Sequence, residues 1–374
     1  MRTRKRKALS DSSAASATNV SQEATAAQKM TPEFSIAKHL LLSKQTNGGY
    51  KNVVFSPLCI KLLLSIVAAG SSGPVRDQLL SFLRSESIDD LNSVATRLFS
   101  SVLVDSSLSG GPCLSFANGV WIDKSLSLKP SFSQVLENVY KPAFVSLDFT
   151  NKNIIMANAL YFKGLWPPGD SFKKTKTVDG GSVKVPFMNR SPHVRATAIA
   201  HQGFKVLTLG YMNAIQTPSK MSPERSSRCT FFFPIIISTA CRLWLKRMLP
   251  RGIKTLSALK IPRFKLSFMV DASPVLKEMG LVLPFMEGAL TEMVEGRDNA
   301  HVSEIIQKCI IEVNEEGTKA SASGRLMIHT MAGRGVKKEP LMEFIADHPF
   351  LFLIREQITG TTLFIGQVLN PLHA

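Results

Sequence analysis

IIEVNEEGTKASASGRLMIHTMAGRGVKKEPLMEFIADHPFLFLI, residues Ile310–Ile354, is the stretch that decides the fold. Up to Asn314 it reads as an apolar strand. From Gly317 it keeps a strict two-residue period, with Thr318, Ala320, Ala322, Gly324, Leu326 and Ile328 on one face. Lys319, Ser321, Ser323, Arg325, Met327 and His329 fall on the other, mostly polar, face. A permanent strand is usually richer in β-branched residues. A solvated loop has no reason to alternate, except by accident. Small residues on the would-be inner face suit a segment that is exposed in one state and slides into a sheet in another.

Upstream, PEFSIAKHLLLSK (32–44) puts Phe34, Ile36, Ala37, Leu40 and Leu41 on one helical stripe. NVVFSPLCIKLLLSIVAAG (52–70) is a short apolar strand running into a helix. Ser56 is placed to cap that helix, Pro57 sits where a missing N–H is harmless, and Gly70 ends it. SSGPVRDQLLSFL begins another helix, ANGVWI is a strand, LKPSFSQVLENVY a helix, and AFVSLDF and IIMANALYF are strands. Strand-like runs follow: SVKVPFM, VRATAIA, FKVLTLGY, TFFFPIII and LKIPRFKLSF. ASPVLKEMG is a short helix, EIIQKCIIEV a strand, and PFLFLI and TTLFIGQV close the chain around the turn QITG. With no fixed repeat and no linker between two cores, residues 31–374 read as one α+β domain, helices first and strands later. Residues 1–30, basic and then Ser/Ala-rich, read as a disordered tail.

Hydrophobic residues make up 44% of the 374-residue chain, enough for a sizeable core. The five cysteines are scattered and form no CxxC pair, which suggests neither a disulfide framework nor zinc. No GxSxG, GxGxxG, Walker or HExxH motif occurs, and the seven histidines stand apart from one another. Glu315–Glu316 and Asp89–Asp90 are adjacent pairs whose side chains diverge in a strand. These residues anchor no enzyme, metal or cofactor. TFFFPIIISTAC (230–241) is too short to span a bilayer, which needs about 20 apolar residues, and reads as buried strand. The first residues have no apolar signal core, so the expected location is cytoplasmic and/or nuclear, with RTRKRK as a possible nuclear patch and a leaderless extracellular location left open. A net charge of +17 permits a nucleic-acid or other polyanionic partner without naming one.

NVVFSPLCIKLLLSIVAAGSSGPVRDQL, FANGVWIDKSLSLKPSF, ANALYFKGLW, SVKVPFM, LKIPRFKLSF, VNEEGT, FIADHPFLFLI and ITGTTLFIGQV resemble serpin motifs, in serpin order, from about residue 32 to the end. The plant branch is the most similar. The resemblance implies N-terminal helices packed on a large central sheet with two smaller sheets, and a reactive-centre loop at about 317–342. It also implies a monomeric suicide-substrate inhibitor of a serine, or papain-like cysteine, protease: cleavage lets the loop insert into the central sheet with the acyl-enzyme attached. Glu315, Glu316, Gly317 and Thr318 would then be the hinge, and Ala320, Ala322 and Gly324 the first inserted positions. Counting from the hinge puts the reactive bond at Met331–Ala332; counting back from ADHPF favours Arg334–Gly335. Ser56, Asn158, Gln307 and Trp166 would lie where the sheet opens.

Three departures stand out. Serpins place a long helix between the strands AFVSLDF and IIMANALYF, which are expected to run parallel, yet only Thr150–Asn153 connect them here. Four residues reach at most about 14 Å, and a parallel crossover needs a dozen or more. Either one strand is displaced, or an exon has been skipped. Tyr211–Leu259 diverges, with only TFFFP resembling the expected strand. Gln307 stands where inhibitory serpins usually carry histidine. The hinge favours an inhibitor, and the missing helix favours a non-inhibitory or degenerate relative acting as a binding protein.

Overall fold

The computed structural model describes residues 32–43, 51–109, 111–150, 153–164, 173–180, 183–190, 194–201, 204–211, 227–233, 253–296, 299–314 and 342–372. The helices are α1 (Pro32–Ser43), α2 (Pro57–Ala69), α3 (Gly73–Leu83), α4 (Ile88–Ser101), α5 (Pro130–Val135) and α6 (Ser273–Glu278). The strands are β1 (Val53–Phe55), β2 (Cys113–Asp123), β3 (Ala143–Leu147), β4 (Ile154–Lys163), β5 (Lys173–Gly180), β6 (Val183–Arg190), β7 (Val194–His201) and β8 (Phe204–Gly210). They continue with β9 (Ser227–Phe233), β10 (Ile253–Pro262), β11 (Phe264–Asp271), β12 (Val302–Val313), β13 (Met342–Ile345), β14 (Phe350–Glu356) and β15 (Thr362–Val368).

A five-stranded sheet has the order β11-β12-β4-β2-β3. The two smaller sheets expected beside it run into one another through β10, whose first half pairs with β7 and second half with β6. They form one ten-stranded sheet, a nine-strand path from β1 to β5 with β13 attached to β10. α2 fills the space between the sheets, packing against β4, β12 and β15. Its sequence explains why: PLCIKLLLSIVAA is apolar except at Lys61 and Ser65, and a helix apolar on nearly every side is stable only when covered nearly all round. Ser56 caps it through its Oγ, which accepts from the Cys59 N–H at 3.4 Å, and Pro57 occupies the first turn. The predicted apolar stripe of α1 is buried at Ile36, Ala37 and Leu40.

The run LKIPRFKLSF is not one strand. It breaks at Arg263 into β10 and β11, which join different sheets. The divergent segment also ends earlier than expected, because Ile253–Leu259 already belong to β10.

The expectation that AFVSLDF and IIMANALYF run parallel is wrong. β3 is parallel to β2 and β2 is antiparallel to β4, so β3 and β4 run in opposite directions with β2 between them. Leu147 lies opposite Asp123 and Ile154 opposite Ile122, so both ends of the connection meet at one end of β2. Crossing one strand takes two inter-strand spacings, about 9.6 Å, and six extended residues reach about 20 Å. Residues 148–153 are therefore long enough without a crossover helix or a displaced strand. Asp123 holds the connection in place. Its Oδ2 accepts from the Phe149 N–H at 2.9 Å, and its backbone N–H donates to the Asn153 carbonyl at 2.9 Å.

Candidate functional site

The site is the line where β4 and β12 lie side by side. Their parallel ladder has ten residue pairs, from Val302↔Ile154 to Glu312↔Lys163, with one irregularity near Ser303. Along the inner face, Asn118 of β2, Asn158 of β4 and Gln307 of β12 fall in one row, since Asn118 is opposite Asn158 and Asn158 opposite Gln307. All three are buried among apolar neighbours. The first turn of α2 lies against this row. Gln307 Oε1 accepts from the Ser56 N–H at 2.9 Å, and Gln307 Nε2 donates to the Ser56 carbonyl at 2.8 Å. Asn158 Nδ2 donates to the Cys59 carbonyl at 2.8 Å. One helix start therefore holds a strand on each side of the line, through an amide from each. Asn118 makes no such bond to a protein atom, so the row is tied more firmly on the β12 side than on the β2 side.

Sequence reasoning placed Ser56, Asn158 and Gln307 together, and the structure brings these three into contact range. Trp166, the hinge residues Glu315, Glu316, Gly317, Thr318, Ala320 and Ala322, and the candidate reactive bonds Met331–Ala332 and Arg334–Gly335 lie outside the described residues.

Two further groups were missed. At the C-terminal end of β12, Glu312 faces outward and joins three strands. Its carboxylate is 3.4 Å from Lys163 Nζ of β4 and 4.0 Å from Lys265 Nζ of β11, and it accepts from Tyr161 OH of β4 at 3.5 Å. The alternation of EIIQKCIIEV was the signal that could have put Glu312 on the solvent face, but its partners become visible only with the register. Beneath the row lie Cys59 and Cys309, both free and fully buried. Burial pushes the Cys59 thiol up to about 12, against only a weak opposing bond from Ser56, and raises that of Cys309 as well. Both are thus neutral, inert core residues.

A five-stranded sheet with two parallel strands side by side, anchored by side-chain amides to a central helix and set against a second, larger sheet, defines an α+β protein. The family model for serpins (serine protease inhibitor) matches residues 31–156 and 150–371, breaking at the β3–β4 connection. Serpin-ZX of Arabidopsis thaliana is 41% identical over 390 residues, covering 91% of this chain and 96% of the relative. Serpin-ZXA of Oryza sativa subsp. japonica is 37% identical over 379 residues, covering 87% and 92%. The native stressed conformation of Arabidopsis AtSerpin1 superposes with a TM-score of 0.77 at 40% identity, covering 91% of this chain and 96% of that one. The chain belongs to the serpin family, whose members are generally protease inhibitors rather than enzymes.

Proposed function

We propose that this serpin inhibits serine-type endopeptidases, with papain-like cysteine proteases also within range, as a suicide substrate. The observation that carries the reading is the direct β4–β12 ladder: no strand stands between them, and their inner face is tied to α2 largely by amide hydrogen bonds that can break and re-form. The protease nucleophile would attack the carbonyl carbon of Met331, forming an acyl-enzyme as the Met331–Ala332 bond breaks and the new amine of Ala332 departs. The freed segment after the Glu315–Thr318 hinge would then enter between β4 and β12, with Ala320 and Ala322 leading. Small side chains there lower the cost of entry. Arg334–Gly335 is the alternative bond, suited to a pocket that pairs with a cation.

Incubation with trypsin-like, chymotrypsin-like and papain-like proteases tests this directly. A covalent complex that survives SDS is expected, together with a rise in thermal stability of the cleaved protein. Loop cleavage with neither result would sink the mechanism.

A specific observation favours a second reading, a non-inhibitory binding protein of the same fold. On the outer face of the five-stranded sheet, beside the β3–β4 connection, Val145 and Leu147 are bare, at 39% and 40% exposure. A polyanionic partner is supported by the net charge of +17 alone. Binding to duplex DNA that weakens steeply with added salt is its test.

A further inference from the structure

The five-stranded sheet ends in β3, which pairs only with β2 among the described residues. All five residues of Ala143–Leu147 are exposed, including Phe144, Val145 and Leu147 at 45%, 39% and 40%. An edge strand with a free row of backbone donors and acceptors and apolar side chains on both faces is a ready template for another strand. Edges of this kind are usually blunted by charge, proline or a bulge, and none of these interrupts AFVSL.

We propose that β3 pairs with the β3 of a second copy of this chain, antiparallel and about a two-fold axis through Val145. Three features select a second copy. First, this register is self-complementary: Val145 meets Val145, Ala143 meets Leu147, and Phe144 meets Ser146 of the second copy, in both directions, as a two-fold contact requires. The two sheets become one, and the apolar side chains of one face stay on that face. Second, a cavity of about 650 Å³ flanks the strand on the Phe144 and Ser146 side, walled by Ile122, Leu136 and Pro142. The Phe144 ring of the second copy, lying beside Ser146, has room there. Third, the ends match in charge. Lys141, opposite Phe149 of the second copy, and Asp148, opposite Pro142, then lie one residue apart across the seam at both ends, within reach of a lysine side chain. Asp148 is 3.7 Å from Lys124 yet 86% exposed, so it keeps an open side for a second cation.

This pairing does not depend on whether the protein inhibits a protease, and it replaces the monomer expected from sequence. Sedimentation of the full chain from nanomolar to high-micromolar concentration should show mass rising from one chain to two. Val145→Lys places a charge at the axis and should abolish the heavier species. Asp148→Lys should weaken it several-fold, and the double variant Lys141→Glu/Asp148→Lys should restore it. A single-chain mass at every concentration overturns the proposal, and so does a pair indifferent to these substitutions. Should Val145→Lys fail to fold by circular dichroism, the charge exchange decides alone, since both of its positions are exposed.

Discussion

Gln307 uses both ends of its amide on one backbone position, Ser56, 251 residues away in sequence. Replacing it with alanine takes the acceptor from the buried Ser56 N–H and leaves the Ser56 carbonyl only the long Ile60 N–H bond at 3.5 Å, a loss of about 1–3 kcal/mol. Gln307→Ala should therefore lower the urea midpoint markedly, and an unchanged midpoint would show that the two bonds are dispensable. The cysteines beneath provide a second test. The folded Cys59 thiol, at about 12, lies above its ordinary 9.0, so the unfolded chain ionises first. The stability tied to the thiol is full below about pH 9 and declines by up to about 1.4 kcal/mol per pH unit as pH rises from there toward 12. In native protein at pH 8, Cys59 and Cys309 should resist a thiol reagent that labels them in denaturant. Ser56 was legible as a helix cap from the Ser-Pro pair, and Gln307 as a polar residue inside an apolar strand. Their contact was not legible, because strand periodicity carries no information on what lies across a sheet.

At the level of elements, the helices capped by Ser-Pro or Gly-Pro signals and most strands were legible from local pattern. α4 was overlooked although Ser87 caps it, accepting from the Asp90 N–H at 3.1 Å, and Leu91, Ala95 and Leu98 form its buried stripe. The connection from β3 to β4 shows a sharper limit. Its shortness was plain from sequence, but strand direction is not written in strand composition, and the supposed conflict dissolves once β3 and β4 are antiparallel. Its stability rests on Asp123, whose carboxylate accepts the Phe149 N–H and, at 2.9 Å, the Ser125 N–H. Asp123→Ala should cost about 1–3 kcal/mol. It should also speed amide exchange at Phe149 and Ser125 before it affects β12. Uniform loosening of the whole sheet would contradict that local role.

Over the whole molecule, the arrangement of sheets around α2 was recoverable because eight separate stretches, spread from Asn52 to Val368, agreed on one order. The way the smaller sheets merge through β10 was not, since it depends on how one strand divides its two halves between partners. The parallel β4–β12 ladder has a further consequence. A segment that follows β12 and turns back must run against β12, and, because β4 shares the direction of β12, against β4 too. Entry of that segment trades one row of slanted backbone bonds for two rows of straight antiparallel ones. Direction alone therefore makes the exchange downhill in backbone pairing, whatever side chains the entering segment carries.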